Sequence, residues 1–164
     1  MRLSTDRARA RFAAARVARL ATVSAAGVPH LVPITFALLD DQIVFVVDDK
    51  PKRTTRLRRL DNIAAQPAVC VLVDVYDDDW SRLWWVRADG RATVHDAGEG
   101  GAHPDPGRAI ESGTAIDTGT AIDTDRAIDA LAARYPAYRQ RRPPGPVVAI
   151  AVTRWTGWAA AGPG

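Results

Sequence analysis

The stretch Val17-Ala18-Arg19-Leu20-Ala21-Thr22-Val23, Ser24-Ala25-Ala26-Gly27, Val28-Pro29-His30-Leu31-Val32-Pro33-Ile34-Thr35-Phe36-Ala37-Leu38 reads as a strand, a turn and a second strand. Pro29 and Pro33 lack an amide hydrogen, so the second strand belongs at a sheet edge or is irregular there. Downstream, Asp40-Asp41 turns the chain into Ile43-Val44-Phe45-Val46-Val47, an unbroken apolar run suited to a strand covered on both faces. Ala68 to Val75 is a fourth strand of the same kind, and Ser81 to Ala88 a fifth that follows the acidic turn Asp77-Asp78-Asp79. Asp89-Gly90 before Arg91-Ala92-Thr93-Val94 allows a hairpin, but a single long strand bent at a glycine bulge better suits a barrel corner. The last strand is read over Val147 to Arg154, with Trp155-Thr156-Gly157-Trp158 as a tail.

Three helices complete the pattern. Ser4, Thr5 and Asp6 offer capping oxygens for a helix to about Arg16. A second runs from about Arg53 to Ala65. A third, capped by Asp125, runs from Arg126 to Tyr135 with the stripe Ile128, Leu131, Ala132 and Tyr135, and Pro136 ends it. Six or seven turn-bounded strands with few helices predict a mainly β fold, a closed or partly closed barrel that removes exposed edges.

The chain has 164 residues, enough for one domain with a real core. Its net charge of +3 gives no global field that calls for nucleic acid. The one cysteine, Cys70, cannot form an internal disulfide and reads as a small buried hydrophobe in a cytoplasmic protein. There is no apolar stretch long enough for a signal peptide or a membrane span. Residues 97–124 differ from the rest. The hexads Ala109-Ile110-Glu111-Ser112-Gly113-Thr114, Ala115-Ile116-Asp117-Thr118-Gly119-Thr120 and Ala121-Ile122-Asp123-Thr124-Asp125-Arg126 repeat in tandem, and Ala127-Ile128-Asp129 opens a fourth. Three copies are too few to stack a β-helix core, so the segment is read as a surface insertion within a single 1–164 domain.

The chemistry points to Lys50–Arg59. Lys50, Lys52, Arg53, Arg56, Arg58 and Arg59 crowd this segment, and its two lysines are the only lysines in the chain. Thr54 and Thr55 add hydroxyls, and the segment leads into a helix N-terminus, so cations, hydroxyls and amides can converge on a phosphate. A solvated helix face is the bland alternative for such a run, and Arg58 and Arg59, read as deep in the helix, are bystanders. Adjacent Trp84 and Trp85 must point to opposite faces of their strand, one to the core and one to a ligand or a second subunit. His30, His95 and His103 lie too far apart in sequence, and too far from suitable partners, to suggest a metal centre. There is no nucleophile elbow and no Gly-x-Gly-x-x-Gly.

The order of elements together with Lys50-Pro51-Lys52-Arg53-Thr54-Thr55-Arg56-Leu57 resembles the pyridoxamine 5′-phosphate oxidase-like split-barrel superfamily, in particular its deazaflavin (coenzyme F420)-dependent oxidoreductases. Leu20-Ala21-Thr22-Val23, Gly27 to Phe36, Val71-Leu72-Val73-Asp74, Trp80 to Arg87 and Arg154 to Trp158 carry the likeness along nearly the whole chain; the hexad insertion departs from it. The resemblance implies a six-stranded antiparallel, Greek-key barrel and a homodimer with its cofactor in a groove between subunits. Lys52, Arg53 and Thr54 would hold the phosphate, with Lys50 and Arg56 meeting further negative charge. Leu20, Ala21, Thr22, Pro33, Ile34 and Thr35 would line the ring, and Trp85 and Arg87 would come from the second subunit. F420 is the implied cofactor and FMN the alternative; the activity would be hydride transfer to a small electrophilic substrate. A non-catalytic flavin- or haem-binding protein is a rival reading. An oligonucleotide-binding barrel is another, disfavoured because the tryptophans do not interleave with the basic residues.

Overall fold

The computed structural model describes residues 1–47, 57–96 and 122–160. Helix α1 (Thr5–Ala14) starts where Ser4 Oγ accepts the Arg7 amide at 3.4 Å, and it buries Ala8 and Phe12. The strands are β1 (Ala18–Val23), β2 (Pro29–Ile34), β3 (Ala37–Leu39), β4 (Gln42–Val46), β5 (Ala68–Val75), β6 (Trp84–His95) and β7 (Val147–Ala159). Helix α2 (Arg58–Ala65) precedes β5, and α3 (Thr124–Arg134) and α4 (Pro136–Gln140) precede β7. All strand pairs are antiparallel, in the order β2-β1-β5-β6-β7-β4-β3.

The two edge strands of this sheet, β2 and β3, are consecutive in the chain and separated only by Thr35 and Phe36. The sheet must therefore curl until its edges meet at that corner, which makes it a split barrel. It has seven strands where six were expected, because the run Val28–Leu38 is not one strand. The Tyr135 hydroxyl breaks it: it accepts the Phe36 amide at 3.1 Å and lies 2.8 Å from the carbonyls of both Phe36 and Arg16. Arg134 Nε donates to the same oxygen at 3.2 Å. Tyr138 Oη pairs with Thr35 Oγ1 at 2.9 Å. Two tyrosines thus take over backbone and side-chain partners that a continuous strand would have supplied.

The core divides by strand alternation. Leu20, Ile43, Phe45, Val71, Val73, Val86, Val148 and Ile150 point into the barrel with Phe12 and Phe36. Ala37, Val44, Val46, Val147 and Ala149 point out and are roofed by Ala127, Ile128, Leu131 and Tyr135. This is why β4 is apolar on both faces, as read from its sequence. The bulge at Asp89-Gly90 is also present, as a register shift between β6 and β7. A side chain at residue 90 would collide with the Ala151 carbonyl oxygen, so glycine is required there.

Four boundaries differ from the sequence reading. Helix α2 opens at Arg58, so Arg58 and Arg59 lie in its first turn and not deep within it; residues 53–56 lie outside the described residues. Helix α3 is capped by Asp123, which accepts the Arg126 amide at 3.0 Å, and not by Asp125. Asp123 and the buried Thr124 therefore belong to that helix, not to the insertion, whose residues 97–121 lie outside the described residues. The last strand runs on through Trp158, because β6 and the N-terminal residues Arg2 and Leu3 pair with it there. Trp155 is no exposed tail residue: it packs edge-on against Phe12 at 5.0 Å between ring centroids.

Replacing Tyr135 with Phe removes one hydroxyl from four partners and leaves buried backbone groups of Phe36 unsatisfied. A loss of about 2 kcal/mol is expected from urea unfolding, whereas Tyr138→Phe, which removes the half-buried pair with Thr35, should cost about half as much.

Candidate functional site

Helix α3 covers only the half of the outer sheet surface made by β3, β4 and the start of β7. The other half, from β2 through β1, β5 and β6 to the end of β7, has no helix over it among the described residues. Strand register defines its rows. Pro33, Arg19, Leu72, Arg87 and Thr156 lie side by side, and Leu31, Ala21, Cys70, Asp89 and Arg154 form the next row. Asp74, Trp85 and Trp158 make a third, shorter row. The β2–β1–β5 side presents Leu31, Pro33, Ala21, Cys70 and Leu72 around one ion pair, with Leu31 66 % exposed, and the β6–β7 side is charged and aromatic.

The charges on this face are tied to one another. Asp89 accepts from Arg154 Nε and Nη2 at 3.0 and 2.8 Å and from Arg87 Nη2 at 3.1 Å. Partial burial works against its ionised form, but Arg154 and Arg87 outweigh that and hold its carboxyl below the usual range. Two guanidiniums on one carboxylate leave a net positive corner. Arg19 pairs with Asp74 at 2.7 Å. Cys70, expected in the core, is instead half-buried on this face. Burial and then the neighbouring Asp89 charge push its thiol up, Arg87 only partly offsetting them, so it is a poor nucleophile at neutral pH.

The structure separates the sequence-derived site residues. Ala21, Pro33, Trp85 and Arg87 are on the bare face. Leu20, Thr22 and Ile34 alternate inward; Leu20 and Ile34 are core, and Thr22 Oγ1 accepts from buried Asn62 of α2 at 2.9 Å. Their side chains do not reach the outer surface. Thr35 sits at the barrel corner on Tyr138. Lys50, Lys52, Arg53, Thr54 and Arg56 lie outside the described residues. Trp84 takes the inner side, under the Arg11 guanidinium at 5.2 Å, which leaves Trp85 as the outward tryptophan. Leu31, Leu72, Cys70, Asp89 and Arg154 complete the face without having been singled out as site residues. The available signal was β5 itself, apolar at outward Cys70 and Leu72 as well as at its inward valines. Among the described residues, no three His, Cys, Asp or Glu side chains gather as a metal site, and no helix is long and apolar enough to cross a membrane.

Residues 4–110 match the family model described as pyridoxamine 5′-phosphate oxidase. The chain belongs to that family. No curated protein matches it. Among solved structures, an FAD-binding protein from Mesorhizobium loti is similar over 96% of this chain and 95% of its own, with 20% identity and a TM-score of 0.63. A conserved hypothetical protein from Mycobacterium tuberculosis matches 96% of this chain and 86% of its own at 19% identity, with a TM-score of 0.66. A haem-binding protein from Mycobacterium smegmatis matches 96% of this chain but 53% of its own, at 19% identity and a TM-score of 0.62. At these identities the likeness establishes the split-barrel fold.

Because the Asp89 carboxyl is held low, its contribution to stability is present above the ordinary aspartate value and is lost as pH falls through the lower folded value. Wild type should therefore be more stable than Asp89→Asn at pH 7, and the gap should close below about pH 4 in thermal melts.

Proposed function

We propose that this chain is an oxidoreductase that works as a homodimer, the bare sheet faces of two copies meeting around a flat flavin-type ring. The observation that carries this reading is the two-sided apolar character of β5. Val69, Val71 and Val73 fill the barrel, yet Cys70 and Leu72 on the opposite side are only half-buried, and Leu31 of the same face is exposed. A face of this kind on a soluble domain is an interaction surface, and a second copy supplies a matching one.

The face suits a planar, anionic group. Ala21 and Pro33 present short side chains that leave a shelf, Trp85 and Trp158 border it, and Arg87 and Arg154 give one side positive charge. In this reading Lys52, Arg53 and Thr54 grip the phosphate, and Lys50 and Arg56 meet further negative charge. Where Leu20, Thr22 and Ile34 contribute, they do so through backbone groups. The finer reading takes F420 as the cofactor, since Lys50, Lys52, Arg53 and Arg56 together suit a polyanionic tail. When bound, it would supply a hydride for a small electrophilic substrate such as an enone or a quinone. The residues around it position the ring, shield it from water and balance its charge. The cytoplasm is the compartment proposed, where Cys70 stays a thiol.

A second reading keeps the site and replaces F420 with a flavin nucleotide, FMN in an oxidase or flavin reductase. The family itself and the FAD-binding structural relative favour it. Parallel fluorescence titrations with oxidised F420 and FMN separate the two, and tight binding of either without turnover of its reduced form would identify a carrier or sequestering protein. Lys52→Ala and Arg53→Ala should each weaken the preferred cofactor by about 1.5–3 kcal/mol; unchanged affinity would remove them from the site. Leu31→Arg should leave the circular dichroism spectrum intact and convert the dimer to monomer in sedimentation, with Cys70 labelling faster by maleimide in the monomer.

A further inference from the structure

Two aromatic side chains remain that the site does not use. Tyr76 is 82 % and Trp80 76 % exposed, and both lie in the turn between β5 and β6. The turn is held in one shape. Asp77 Oδ1 accepts the Asp79 amide at 3.0 Å, and Asp79 Oδ1 accepts the amide and hydroxyl of Ser81 at 3.0 and 2.7 Å. Arg82 pairs with Asp77 at 3.1 Å. Trp80 is therefore presented to water from an ordered backbone, which lowers the entropy lost on docking. Three aspartates flank it and one arginine offsets them, so the surroundings disfavour an anionic ligand. An indole beside carboxylates selects a guanidinium, which meets both the ring face and the negative charge.

We propose that this turn docks on the first turn of α2 in a second copy, receiving Arg58 between Trp80 and Asp78, and that this contact decides how the two bare faces are oriented. The inference rests on the homodimer reading above. Within one chain the two elements are at opposite ends of β5: α2 passes through Gln66 and Pro67 into its start, and the turn follows its end. The eight residues of β5 put about 26 Å between them, so the contact is between copies. A two-fold axis in the common plane of two faces can point in any direction between two limits. An axis along the strands brings like ends together and sets acidic turn against acidic turn. An axis across the strands brings unlike ends together. The turn then meets the end where exposed Arg58 opens α2 and exposed Arg91 sits opposite Ala68. Charge selects the second arrangement.

Sedimentation velocity across a dilution series tests this on the full chain, with circular dichroism to confirm that each variant is folded. Trp80→Ala, Asp78→Lys and Arg58→Asp should each weaken the dimer about tenfold or more. The double variant Asp78→Lys/Arg58→Asp should recover most of that loss, and added salt should weaken the wild-type dimer. Turn variants that dimerise like wild type, alongside a monomeric Leu31→Arg, would overturn the docking of this turn and leave the homodimer standing. A wild-type chain that is monomeric at every concentration would overturn the homodimer reading itself.

Discussion

One hydroxyl group closes this fold. The edges of the sheet are neighbours in sequence, and the two residues joining them cannot satisfy their own backbone groups by pairing. Tyr135 reaches the corner from the end of α3 and serves the amide and carbonyl of Phe36, the carbonyl of Arg16 and the Arg134 side chain through a single oxygen. Because Arg16 lies two residues before β1 and Phe36 immediately precedes β3, the same atom ties both sides of the seam to the helix that roofs β4. Barrel closure and helix docking are one event.

That docking is one-sided, and the asymmetry matters for function. Helix α3 covers Ala37 of β3, Val44 and Val46 of β4, and Val147 and Ala149 of β7, which are accordingly apolar and buried. The remaining outward positions keep a mixture that neither core nor ordinary surface explains: Leu31, Cys70 and Leu72 on one side, a guanidinium–carboxylate cluster on the other. The mixture fits a surface that is dry in part and meets a charged, flat partner elsewhere.

How much of this was legible in the sequence depended on whether a signal was local. The glycine bulge was legible because Asp89-Gly90 interrupts an otherwise regular strand, and the two-faced burial of β4 because its apolar run is unbroken. The break at Thr35-Phe36 was hidden: nothing in Val28–Leu38 announces it, since its cause is a tyrosine a hundred residues away. The same holds for the tail, which Trp155 anchors through Phe12 near the other terminus. For the site, alternation could have sorted Ala21 and Pro33 from Leu20, Thr22 and Ile34, since antiparallel partners share a face and only one parity can look outward. Asp89 was not legible as part of the site, because its role comes from Arg154 across a register shift.

The cap of α3 gives the hexad repeat a particular freedom. Asp123, which starts the helix, stands in the unit Ala121-Ile122-Asp123-Thr124, and the preceding copy carries the same four residues at 115–118. Gain or loss of the copy at 115–120 therefore still delivers an aspartate and a threonine to the helix start in the right phase. A change of one such copy leaves intact the cap that starts α3, and with it the roof over β4.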